Sequence, residues 1–177
     1  VAYGGSAVLT FELEEGCKKT EDFAVKVNGK AVTLKPDGTC ELKDIQEDLT
    51  VTVEGVSDAE GPTAVIRIGN RSWEDFLVGV RFKYYYNAFQ TVTVTAEDEG
   101  SGVESIYYYL ASYEHSLEQL KSVSNWKKYT DSFVIRPDNK YIVYVRVEDK
   151  TGNVRYFNTD GLVLDSTPPT INGVRNR

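Results

Sequence analysis

Four groups of residues in this chain have the types and spacing to do chemistry. Acidic turns come first: Glu97-Asp98 and Glu148-Asp149 each follow an alternating apolar segment, and Asp58 and Glu60 stand in a polar stretch between two such segments. Carboxylates gathered at one end of a β structure suit calcium, a hard cation that takes about six to eight oxygens. The same Asp149-Lys150-Thr151-Gly152-Asn153 run is equally a hairpin turn that needs no metal. The sole histidine, His115, is flanked by Glu114 and Ser116. A Ser-His-Asp device needs partners that converge in space, and neighbours along one helical segment do not converge, so His115 is expected at the surface without a catalytic role. Cys17 and Cys40 are the only cysteines. Either they form a disulfide, which across about 24 residues would stabilise by about 3 kcal/mol, or they are two small buried thiols. Finally, Tyr84-Tyr85-Tyr86 and Tyr107-Tyr108-Tyr109, with Trp73 or Trp126, offer aromatic surface for stacking on a sugar ring. Strand alternation instead assigns half of each run to a core and half to cross-strand pairing on the surface.

No P-loop, GxGxxG, HExxH or paired CxxC occurs, and nothing among the 27 acidic residues singles out a glycosidase pair. The expectation is therefore no catalytic, cofactor-binding or metal-ligating residue.

These residues must be positioned by strands. Leu9, Phe11 and Leu13 alternate with Thr10, Glu12 and Glu14, the period of a half-buried strand over 8–14. Phe23 to Val27 runs into Asn28-Gly29, whose two residues suit the positive-φ positions of a type I′ turn, and Lys30 to Leu34 follows as the return strand. Pro36-Asp37-Gly38 is a second turn, after which Cys40 and Leu42 share a face, and Leu49, Val51 and Val53 alternate in a last strand. These segments predict a small β domain over 1–56.

A polar stretch, 57–63, follows as a linker with a Gly61-Pro62 break. Asp58, Pro62 and Thr63 are matched by Asp165, Pro169 and Thr170 at a common offset of about 107 residues, so one boundary peptide is used twice and 166–177 is expected to be linker and the start of another repeat. Between the boundaries, 64–68, 91–96, 103–110, 133–135, 141–148, 154–157 and 162–164 read as about seven short strands separated by turns, which fits a two-sheet sandwich over 64–165. Ser116 with Gln119 is a capping-box pattern opening a short helix, with Leu117, Leu120 and Val123 on one side, expected to bridge the two sheets. Residues 73–77 suggest a further helical turn. In such a sandwich the second and sixth strands run the same way, which places both acidic turns at the end that receives the linker.

Net charge is −7 and no Lys/Arg cluster is longer than Lys127-Lys128, which excludes the basic patch that nucleic-acid binding requires. No apolar run approaches the about 20 residues needed to span a bilayer. The chain contains no Met, so it is expected to be a segment of a longer protein.

Residues 62–170 resemble a family of immunoglobulin-like repeats from large secreted and cell-wall proteins of Gram-positive bacteria. The likeness is carried by Pro62-Thr63, Ile68-Gly69 with Ser72-Trp73 and Phe76, Thr91 to Asp98, and Gly100 to Ile106. Trp126 with Tyr129, Pro137 to Tyr141, Glu148 to Val154, and Asp160-Gly161 with Asp165 to Pro169 continue it in order. The first block resembles, more weakly, small β repeats that precede such domains, through its Val25 to Lys30 hairpin and its Glu47 to Val53 ending. The resemblance implies an all-β fold, an immunoglobulin-like β-sandwich with a short inserted helix preceded by a smaller β domain. It implies an extracellular or cell-wall location and a non-catalytic spacer role, with neighbouring domains of the same chain as partners. The alternatives are a glycan- or host-protein-binding adhesin module and, third, part of an extracellular glycan-degrading enzyme's catalytic unit.

Overall fold

The computed structural model describes residues 3–170, and among these the chain forms fifteen strands and one helix. Most of the expected start of a further repeat, 171–177, lies outside the described residues. The chain divides between Glu60 and Gly61 into two compact units.

The first unit contains β1 (Gly5–Thr10), β2 (Cys17–Val27), β3 (Lys30–Val32), β4 (Thr39–Ile45) and β5 (Val51–Asp58). β1 pairs with β4, and β2 is the centre of a three-stranded sheet β3-β2-β5. Asn28 and Gly29 take φ of 45° and 76° between paired Val27 and Lys30, the two-residue turn that these residue types favour. Asn28 does a second job that its place in a turn motif does not announce. Its Oδ1 accepts from Thr50 N at 2.7 Å and its Nδ2 donates to Glu47 Oε1 at 3.0 Å, which fastens the hairpin tip to the chain entering β5.

β1 ends at Thr10 rather than at 14: the Phe11 amide makes one last bond in register, to Gly38 O at 2.9 Å, and beyond it the partner chain turns away at 35–38. β5 continues through Ser57 and Asp58, which were expected in the linker, because the eleven-residue β2 offers partners as far as Lys18 and Cys17. Leu49 lies before the strand, and Val51 and Val53 stay 43% and 44% exposed on an edge strand with no strand paired beyond it among the described residues.

The second unit contains β6 (Thr63–Ile68), β7 (Arg71–Trp73), β8 (Phe82–Tyr86), β9 (Gln90–Glu97), β10 (Val103–Ala111), α1 (Leu117–Lys121), β11 (Lys127–Lys128), β12 (Phe133–Ile135), β13 (Asn139–Asp149), β14 (Val154–Asn158) and β15 (Gly161–Leu164). One sheet has the order β12-β9-β6-β7. The other has the order β11-β10-β13-β15-β8, with β14 also on β13. All pairs are antiparallel except β15 with β8. Gly161 permits that exception, since a Cβ there would lie 2.6 Å from the Phe82 ring.

The two sheets share one core. Ile66, Ile68, Trp73, Val92, Val94 and Ile135 come from the first sheet, and Val143, Val145, Val147, Phe157, Leu162 and Leu164 from the second. Each fully buried side chain of this size contributes about 1.5–3 kcal/mol. A second, smaller core lies on the outer face of the β10-β13 sheet, where Ala111, Leu120, Ile142 and Tyr144 meet Phe76, Val80, Phe82 and Trp126. β13 is therefore buried on both faces, which explains its unbroken apolar run Ile142-Val143-Tyr144-Val145.

Two expectations are corrected here. The helix does not bridge the sheets: α1 has its capping box, with Ser116 Oγ accepting from Gln119 N and Gln119 Oε1 accepting from Ser116 N, but Leu120 packs into the outer core of a single sheet. Trp73 begins no helical turn. It ends β7, because Gly69 at positive φ turns the chain straight back onto β6.

Candidate functional site

The acidic turns are the most organised polar feature of the second unit. Asp149, at the end of β13, is 1% exposed. Its Oδ1 accepts from Thr151 N (2.9 Å), Thr151 Oγ1 (3.1 Å) and Asn153 N (2.8 Å), and its Oδ2 accepts from Asn153 Nδ2 (2.7 Å). Burial pushes this carboxyl up, but the bonds from Asn153 and Thr151 more than offset it and hold it below the ordinary carboxylate range. Asp98, just past β9, accepts from Gly102 N at 2.7 Å and Ser101 Oγ at 3.2 Å. Lys150 N donates to Gly102 O at 3.0 Å and ties the two turns together.

The fold thus brings Asp98 and Asp149 together, with carboxylate oxygens within 4.8 Å. Glu97 is exposed instead, and Glu148 pairs with Arg146 at 2.8 Å. Asp58 and Glu60 belong to the first unit, where Asp58 Oδ1 accepts the Glu60 amide at 2.9 Å. Asp98 and Asp149 are the pair in the second unit with oxygens close enough to share a cation. Their evident work is to hold the loop ends of β9 and β13 in place.

His115, expected at the surface, is 7% exposed. The segment that α1 anchors folds back on the outer face of the β10-β13 sheet and lays the imidazole among tyrosines. It stacks on Tyr113 at 4.6 Å and meets the ring edges of Tyr109 and Tyr144. Its amide donates to Tyr144 Oη at 2.7 Å, and its Nδ1 lies 3.1 Å from Tyr113 O. Burial pushes the Tyr144 phenol up from its ordinary value. Glu114 bonds Gly79 N and Ser116 caps α1, so neither converges on His115 as a catalytic partner.

The run Tyr84-Tyr85-Tyr86 divides as alternation requires, whereas in Tyr107-Tyr108-Tyr109 the outward-facing Tyr109 is packed into the outer core. Tyr84, Tyr86 and Tyr108 pack against the main core, Tyr108 stacked on Phe133 at 3.9 Å, while Tyr85 is 73% exposed. Trp73 is lost to any sugar platform: it is buried, with Nε1 donating to Asp160 Oδ2 at 3.3 Å. Trp126 stays half-exposed beside Tyr109 and Tyr156. Cys17 and Cys40 are free thiols, on β2 and β4 of different sheets, with Cys40 buried.

Sequence reasoning missed Asn158 and Thr159, both fully buried. Asn158 Oδ1 accepts from Leu77 N at 2.6 Å and its Nδ2 donates to Leu77 O and Thr159 O, which holds the 75–77 segment on β14. Thr159 continues the β13 ladder where β14 gives way to β15, its Oγ1 accepting from Val143 N at 3.0 Å. The one available signal was a polar Asn-Thr-Asp step between two apolar strands.

No family model, no curated protein and no solved structure matches this chain. Among the described residues no helix is long and apolar enough to cross a membrane.

Proposed function

We propose that the second unit is an immunoglobulin-like sandwich and that the chain is a non-catalytic spacer of a modular bacterial surface or secreted protein, presenting its neighbouring domains. The strand order supports the fold reading. β9 lies between β6 and β12 as strand B lies between A and E, and β13 lies between β10 and the β14-β15 pair as F lies between C and G.

The functional reading rests on one observation: the polar groups that the sequence offers for chemistry are engaged in holding turns and packed segments. Asp149, Asp98, Asn158 and His115 all direct their bonds to local backbone or neighbouring side chains.

Extension of the full chain by its ends in a force spectrometer tests this. The expected record is a single rupture of the second unit releasing about 30–35 nm, at about 3.5 Å per extended residue. Gradual lengthening at low force would overturn the spacer reading.

A further inference from the structure

The outer face of the β10-β13-β14 sheet has two halves. In one, the cross-strand row Tyr109, Tyr144 and Asn158 is covered by the α1 segment and by residues near Phe76 and Val80. Two residues along the same strands, Tyr107 stands opposite Arg146 and Arg146 opposite Tyr156, with Lys128 of β11 opposite Tyr107. Tyr107 belongs to neither core and Tyr156 borders the outer one, and both rings of this second row stay half-exposed. Trp126 marks the step between the halves, 6.0 Å from the Tyr156 ring and 5.9 Å from Tyr109.

We propose that this second row is a binding site for an anionic saccharide, a role beyond that of spacer and independent of it. Tyr107 and Tyr156 lie two strand spacings apart, about 10 Å, a distance comparable to a disaccharide. Both rings are half-exposed and braced by neighbours, so ordering them on binding costs little entropy. Their faces suit the C–H faces of pyranose rings, and Trp126 supplies a wall at the step.

The charges select the saccharide. The Arg146 guanidinium lies 5.6 Å from the Tyr107 ring and gives Nη2 to Glu148 at 2.8 Å. Its other N–H groups make no hydrogen bond among the described residues, and a guanidinium has five donors in a fork that fits carboxylate or sulfate oxygens. Lys128 makes no ion pair among the described residues. On a chain of net charge −7, a row carrying Arg146 and Lys128 against the single carboxylate of Glu148 is a local cationic strip. Carboxylated and sulfated sugars share the chemistry that this strip recognises.

Calorimetric titration of the full chain tests the proposal with four probes: hexagalacturonate, a heparin-derived hexasaccharide, cellohexaose and xylohexaose. The expected result is millimolar or tighter binding of at least one anionic probe, with the neutral probes about tenfold weaker or absent. Which anionic probe binds distinguishes carboxylate from sulfate recognition. Tyr107→Ala is expected to weaken binding about fivefold or more, and Lys128→Gln and Arg146→Gln to narrow the gap between anionic and neutral probes. Lys128→Gln changes only an exposed edge residue and keeps the test decisive if Tyr107→Ala fails to fold. No binding of any probe, equal binding of neutral probes, or anionic binding indifferent to all three substitutions overturns the proposal.

Discussion

β5 and β13 carry the same kind of alternation and meet different fates. Val51 and Val53 of β5 are 43% and 44% exposed, whereas Val143, Val145 and Val147 of β13 are fully buried. The pleat explains orientation in both: every second side chain points one way. Burial needs an opposing layer, and the two units differ there. β5 is an edge of a three-stranded sheet, and neither core cluster includes its side chains, whereas β13 is central, with a sheet against one face and the α1 segment against the other. Alternation is thus a statement about facing, and the number of layers decides what it contributes to stability.

That contrast can be broken or sharpened by substitution. The largest effect is expected for Phe157→Ala, which empties a fully buried site in the main core and should cost the second unit about 3–5 kcal/mol in urea denaturation. Asn158→Ala follows at about 1–3 kcal/mol, because the part-buried Leu77 amide loses its acceptor. Ser116→Ala should cost about 1 kcal/mol by removing the α1 cap. Val53→Ala in the first unit should cost less than about 1 kcal/mol, since nearly half of that side chain already meets water. A loss at Val53 equal to that at Val145 would show that an unrecognised layer covers β5.

The acidic turn adds a pH signature to the same comparison. The Asp149 carboxyl is held below its ordinary value, so its contribution is fully present above the unfolded-state value near 3.8 and is lost as pH falls through the lower folded-state value. The second unit should therefore lose stability as pH drops from about 4 downwards, and Asp149→Asn should flatten that fall, both read from melting curves.

Much of the fold was legible because local chemistry and fold agree: the Asn28-Gly29 turn, the Ser116-Gln119 box and the β9 alternation need no distant partner to be recognised. What was not legible depended on a second layer. His115 reads as polar and exposed until the α1 segment folds it onto Tyr109 and Tyr144. Trp73 and Asp160 meet across 87 positions of sequence, a separation that no periodicity records. The approach of Asp98 to Asp149 followed from strand direction, but the turn bonds that occupy both carboxylates did not. The half-exposed aromatic row emerged only from register, since Tyr107, Arg146 and Tyr156 come from three strands.

The central claim, that β13 forms the most stable part of the molecule because it is enclosed from both sides, is tested most directly by native-state hydrogen exchange on the full chain. The account predicts that the amides of Ile142 to Val147 exchange slowest of all and only through global unfolding of their unit, while those of Val51 to Val56 exchange through local opening. Equal protection of the two strands, or faster exchange in β13, would contradict it.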